Sequence, residues 1–116
     1  MPDRRQEGAQ GEDRAVEVLR KEGYKVITRN YRSPFGEVDI IARDGSCLVF
    51  VEVKTRTSRI FGDPMDAITA DKKKHIIRSA LFYMKQNRVQ DKKVRFDVLG
   101  IVGEEVKLVK NAFLVE

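Results

Sequence analysis

The sequence predicts an α/β fold: a central mixed sheet of about five strands flanked by helices, in the order α-β-β-β-α-β-β. Three observations lead there. Two segments carry apolar residues at helical spacing. Several short runs rich in valine, isoleucine and phenylalanine read as strands, two of them joined by Asp44-Gly45. The second helical segment falls between strands, and a strand–helix–strand crossover makes a right-handed parallel unit. At 116 residues the chain suits a single domain spanning 1–116, with residues 1–6 reading as a flexible tail.

From about Gln6 to Glu22 the periodicity is helical, with Gly8, Glu12, Ala15, Val16 and Leu19 on one face. Gly23 is placed to cap it. Tyr24 to Asn30 is a short β-rich stretch, and Ser33-Pro34-Phe35-Gly36 is a turn. Glu37 to Arg43 and Cys47 to Arg56 are strands. Between them, Arg43-Asp44-Gly45-Ser46 holds an Asp-Gly pair, a strong hairpin signal. The second strand has Val49, Val51 and Val53 on one face, and Leu48, Phe50, Glu52 and Lys54 on the other. Apolar residues on both faces at its start mark a central strand covered on both sides. A loop is expected from Thr55 to Pro64. A long helix follows, from about Asp66 or Asp71 to Asn87, with an apolar face of Ile76, Ile77, Ala80, Leu81, Tyr83 and Met84. That face reads as core in preference to a subunit interface. Val94 to Ile101 is a strand, Val106 to Val109 another, and Ala112 to Val115 extends or follows it.

Composition excludes several classes. Apolar residues make up 41% and charged residues 35%, the balance of a soluble globular domain. No apolar run approaches the ~20 residues needed to span a bilayer, and the start lacks the apolar region of a secretory signal. Cys47 stands alone, which excludes an internal disulfide and fits a reducing cytoplasm. In an apolar strand it reads as a buried inert thiol. A net charge of +5 favours a polyanionic partner, though weakly.

The chemistry concentrates in Glu37-Val38-Asp39 and Glu52-Val53-Lys54. Residues two apart on a strand share a face, ~6.7 Å apart, so Glu37 and Asp39 share one face and Glu52 and Lys54 another. Closing the hairpin brings Asp39 toward Glu52. Converging carboxylates repel unless a cation or a proton lies between them, and oxygen ligands with open positions suit Mg²⁺ or Mn²⁺. A lysine beside such a site is what a metal-dependent phosphodiesterase needs. Glu12, on the same helical face as Ala15 and Leu19, should point inward, and a buried carboxylate needs a partner.

The strings Gly36-Glu37-Val38-Asp39-Ile40-Ile41-Ala42 and Val49-Phe50-Val51-Glu52-Val53-Lys54-Thr55-Arg56 resemble the active-site signature of the PD-(D/E)xK nuclease superfamily. More narrowly, the chain resembles the YraN-like family of small bacterial proteins, itself similar to archaeal Holliday-junction resolvases. Gly11-Glu12, Asn30-Tyr31-Arg32, Phe61-Gly62 and Arg95-Phe96-Asp97 extend the likeness over nearly the whole chain. One departure is Val38, where the superfamily's name has proline.

The resemblance implies a restriction-endonuclease-like fold and metal-dependent cleavage of nucleic acid. Asp39 and Glu52 are then metal ligands, with the backbone carbonyl of Val53 completing the set; otherwise they are solvent-facing strand carboxylates. Lys54 assists the attacking water or steadies phosphate charge, or else pairs with Glu52 or Glu37. Glu37 ligates a second metal or pairs with a basic residue. Glu12 serves the metal site from the first helix or makes a local pair. Arg56, Arg59 and Thr55 are expected to contact phosphate near the scissile bond, the alternative being an ordinary basic loop. Lys72, Lys73 and Lys74 form either a nucleic-acid contact or a solvated face, and Arg29, Arg32 and Arg4-Arg5 extend a basic track. His75 lies outside the acidic group and reads as a surface residue, so a histidine-based site is not expected. Arg95 and Asp97 share a strand face and read as a structural pair.

Two functions from different classes follow. One is a metal-dependent DNA endonuclease, acting on branched or recombining DNA, as a homodimer by analogy with the resolvases, and with a partner protein for targeting. The other is a nucleic-acid-binding or partner-binding module that keeps the fold without turnover. Nothing in the sequence separates DNA from RNA as substrate, and no aromatic array for stacking single strands stands out.

Overall fold

The computed structural model describes residues 4–56, 68–90 and 93–113, with side chains from Gly11 onward. Among these residues two helices and five strands follow the expected order: α1 (Arg4–Lys21), β1 (Lys25–Ser33), β2 (Gly36–Asp44), β3 (Cys47–Arg56), α2 (Ala70–Gln86), β4 (Lys93–Val102) and β5 (Glu105–Phe113). The strands form one sheet in the order β1-β2-β3-β4-β5. Only the β3–β4 step, the one bridged by α2, is parallel; the other three are antiparallel. This is the mixed, nuclease-like α/β sheet that the sequence predicts. Among the described residues no helix is long and apolar enough to cross a membrane.

Among the described residues each face of the sheet carries one helix. α1 packs Ala15, Val16 and Leu19 against Ile40, Ala42, Val49, Val51, Leu99 and Ile101. α2 packs Ile76 and Ala80 against Ile41, Leu48, Phe50, Phe96 and Val98. β3 is therefore the covered central strand that its apolar start implies. Phe50 stacks on Phe96 at 5.7 Å and meets Tyr83 edge-on at 5.9 Å. Its truncation to alanine costs about 3–5 kcal/mol by cavity formation.

Element ends depart from expectation for local reasons. α1 begins at Arg4, two residues before the expected start. Its end is set by Gly23, at φ 90°. The Gly23 N–H donates to Arg20 O and the Tyr24 N–H to Leu19 O, so Tyr24 belongs to the cap and not to β1. The Thr69 hydroxyl accepts from the Lys72 N–H at 3.2 Å and starts α2 at Ala70. Leu81, expected on the apolar face, is 55% exposed. Five residues past Ile76 it has rotated about 140° off that face. β3 runs from Cys47 to Arg56, the bounds expected of that strand, so Thr55 and Arg56 belong to it and not to the loop expected from Thr55 to Pro64. Val106 to Val109 and the start of the last expected segment, Ala112 and Phe113, form one strand, β5, whose ladder shifts register between Phe96 and Val98; Leu114 and Val115 lie outside the described residues. Arg59 and Phe61-Gly62 lie outside the described residues.

Candidate metal centre

The site is built where two strands part. β2 and β3 pair from Asp44–Cys47 as far as Ile40–Val51. Asp39 and Glu52 come next in that register, and there the side chain replaces the main chain: the Val53 N–H donates to Asp39 Oδ2 at 2.8 Å. In an extended strand the N–H and C=O of one residue point to the same edge. The Val53 carbonyl therefore faces the same opening.

Strict alternation also ends at Asp39. Val38 packs with the α2 cluster and Ile40 with the α1 cluster, although two positions apart should share a face. On β1, Asn30 lies between the Arg29–Ile40 and Tyr31–Val38 pairs and adopts φ 53°. The ribbon turns here. Asp39 so feels Glu52, from the α2 side, and Glu12, from the α1 side. Burial first, then the Glu52 charge, push its carboxyl up to about 7; the Val53 N–H opposes this, while Glu12 and a hydrogen bond with Glu52 add to it. Glu37, expected on the same face, is exposed.

Glu52 is 4% exposed, on the strand face that also carries Leu48 and Phe50. Its Oε1 meets Lys54 Nζ at 3.4 Å and Lys72 Nζ at 2.7 Å. Lys54 is thus where the Glu-x-Lys spacing puts it. Desolvation and the neighbouring Lys72 lower its pKa, against the pull of Glu52. Lys72 also loses hydration, but its hydrogen bond with Glu52 and the Glu52 charge raise it on balance.

α1 delivers Glu12 through a close approach. A Cβ on Gly11 would lie 2.7 Å from Thr55 Oγ1, so only glycine lets the helix sit this near β3. Glu12 follows, partly buried, with Arg29 Nη2 at 3.8 Å and the field of Asp39 as its partners. Arg29 makes its closer pair with Asp13, at 2.7 Å.

The residues expected on nucleic acid scatter. Thr55 faces α1 at Gly11. Arg56 is half-buried, its Nε without a hydrogen-bond partner among the described residues, and its carbonyl accepts from the Gly103 N–H at 3.2 Å. Arg32 is exposed on edge strand β1. The lysine run divides: Lys72 turns into the site, Lys73 lies over the Phe113 ring at 5.7 Å, and Lys74 is exposed. His75 is exposed beside Gly36. The part of Lys72 was not foreseen. Its signal was helical phase, for it falls on the stripe of Ile76 and Ala80.

Arg95 and Asp97 form the structural pair expected, at 2.8 Å. Asp97 is 1% exposed and also accepts from Tyr24 Oη at 2.6 Å and the Asn111 N–H at 2.9 Å. This cluster ties the end of α1 to β4 and β5.

Among the described residues no three His, Cys, Asp or Glu side chains form a group ready to hold a metal ion. The chain offers two carboxylates and a carbonyl: hard oxygen donors that leave positions for water, which fits Mg²⁺ or Mn²⁺. The raised carboxyl of Asp39 is the charge conflict that a cation would relieve.

The sequence is similar to those of known chains. Residues 11–101 match the family described as Uncharacterised protein family UPF0102. A UPF0102 protein of Desulfosudis oleivorans is 47% identical over 95% of this chain and 91% of its own length. Those of Persephonella marina and Caldicellulosiruptor saccharolyticus are 45% and 43% identical, again over more than nine-tenths of both chains.

Proposed function

Starting from a chain that belongs to the UPF0102, or YraN-like, family, we propose that it is a divalent-metal-dependent endonuclease that hydrolyses phosphodiester bonds in DNA. The observation that carries this reading is Asp39, a largely desolvated carboxylate fixed on the Val53 N–H beside buried Glu52, with Lys54 on the same carboxylate.

Asp39, Glu52 and the Val53 carbonyl would hold Mg²⁺ or Mn²⁺. When bound, the metal supplies Lewis-acid stabilisation of phosphate charge and a more acidic water. The protein residues do the rest. The Val53 N–H holds the Asp39 carboxylate in one orientation. Lys54, its ammonium held beside Glu52 Oε1, would orient the attacking water and steady the developing phosphate charge. Glu12 adds negative charge from α1. Arg56, Arg32 and Lys74, with Arg59, supply cations for phosphate. Branched DNA as substrate and a homodimer that cuts both strands belong to this reading through its likeness to the resolvases; a targeting partner belongs to it because a domain of 116 residues has a short DNA footprint.

The test is cleavage of labelled four-way junctions, flaps, duplex, single strands and RNA with Mg²⁺ or Mn²⁺, by wild type and Asp39→Ala. Products that need metal and vanish in the variant are expected with DNA. One observation favours the alternative, a binding module without turnover: Glu52 is already neutralised by two lysines of its own chain. Binding without cleavage, unaffected by Asp39→Ala, would establish that module instead.

A further inference from the structure

Lys72 is the feature that this function does not use. It comes from the first turn of α2, fixed there by the Thr69 cap, and reaches across to β3. Of the two ammonium groups on Glu52 Oε1 it is the closer, 2.7 Å against 3.4 Å for Lys54. It is also the more exposed, its side chain 37% accessible against 18%. Lys54 is anchored by its strand to this spot. Lys72 has water to move into at little cost, because the long lysine stem can carry its charge outward without moving the helix.

A divalent cation on Glu52 would stand within a few ångströms of the Lys72 ammonium, and like charges at that separation repel strongly. Resting on the metal-site reading above, we propose that Lys72 is a built-in cation surrogate. It neutralises Glu52 in the metal-free chain and is displaced when a divalent metal binds. The buried carboxylate is then never left unpaired, and metal affinity is set by competition with the chain's own ammonium. The displaced group remains tethered beside the site as a cation for phosphate.

Calorimetric titration of Mn²⁺ in the absence of nucleic acid tests this on wild type, Lys72→Met, Lys73→Met and Asp39→Ala, each checked for cooperative melting. Lys72→Met is expected to bind Mn²⁺ roughly three- to tenfold more tightly, the scale of one ordinary, partly solvated hydrogen bond removed. Lys73→Met, whose ammonium lies over Phe113, should match wild type. A merely structural role for Lys72 would give the opposite sign, since loosening α2 weakens the site. Mn²⁺ binding in wild type that is lost in Asp39→Ala but unchanged or weakened in Lys72→Met would overturn the surrogate and leave the metal site standing. Absence of binding in every variant would overturn both.

Discussion

In the folded chain Asp39 keeps its proton up to about pH 7, against an ordinary value of 3.8, because burial and then Glu52 oppose its charge. The unfolded chain gives that proton up near pH 4. Between the two the folded state binds more protons, so stability must fall as pH rises. The contribution of Asp39 is complete below the unfolded value and lost as pH passes through the folded one. Asp44, lowered chiefly by its hydrogen bond with Arg95, acts with opposite sign, but below that window. Denaturant melts from pH 4.5 to 8 in a chelating buffer should therefore show falling stability in wild type and a flatter profile in Asp39→Asn. Mn²⁺ should restore stability most at the alkaline end, where the carboxylate is free to take it. Glu52→Gln should act on the same titration from the other side, shifting the fall to lower pH by removing the neighbouring charge. A profile that is the same in all three proteins would mean that Asp39 is hydrated and its charge unopposed.

α1 meets the sheet at one tight point, and that contact has a testable sign. Gly11→Ala should gain up to about 1 kcal/mol of helix propensity. Its new Cβ, however, meets Thr55 Oγ1 at 2.7 Å, and overpacking of this kind costs about 1–3 kcal/mol. Net destabilisation is expected in the wild-type background and net stabilisation in Thr55→Ala, a reversal that a double-mutant cycle of denaturant melts would read directly. On α2, Thr69→Ala should lose about 1 kcal/mol with the cap and loosen the hold on Lys72. These two contacts also show how far the sequence could be read. Periodicity and the Asp-Gly hairpin suffice for element order, the central strand and the Asp39–Glu52–Lys54 group, because all depend on alternation along one or two strands. The turn of the ribbon at Asp39 could not be read that way, since it comes from Asn30, on a different strand, at φ 53°. Nor could the placement of Thr55 against Gly11, a contact between elements distant in sequence. The Lys72 contact was legible in principle. Once Thr69 is taken as the cap, helical phase puts Lys72 on the buried stripe and leaves Lys74, Arg78 and Leu81 outside.

At the scale of the whole molecule, charge is divided between the seam and the surface. The net +5 coexists with an acidic group at the opening between β2 and β3, whose nearest lysines are already committed to Glu52. Cations available to a polyanion must come from elsewhere, and α2 presents exposed Lys74 and Arg78 one turn apart. If these two carry phosphate contacts, DNA affinity should fall with rising salt, and each neutralisation should reduce the slope of log K against log salt by roughly 0.9. Fluorescence anisotropy of a labelled duplex between about 50 and 200 mM salt, with Ca²⁺ in place of a cleavage-supporting metal, checks this. Lys74→Ala and Arg78→Ala are each expected to weaken binding and lower the slope by about one ion. Lys72→Met should change the slope only when metal is present, because without it the ammonium remains on Glu52. Equal slopes for wild type and the Lys74→Ala and Arg78→Ala variants would move the phosphate track off α2, toward Arg32 on β1.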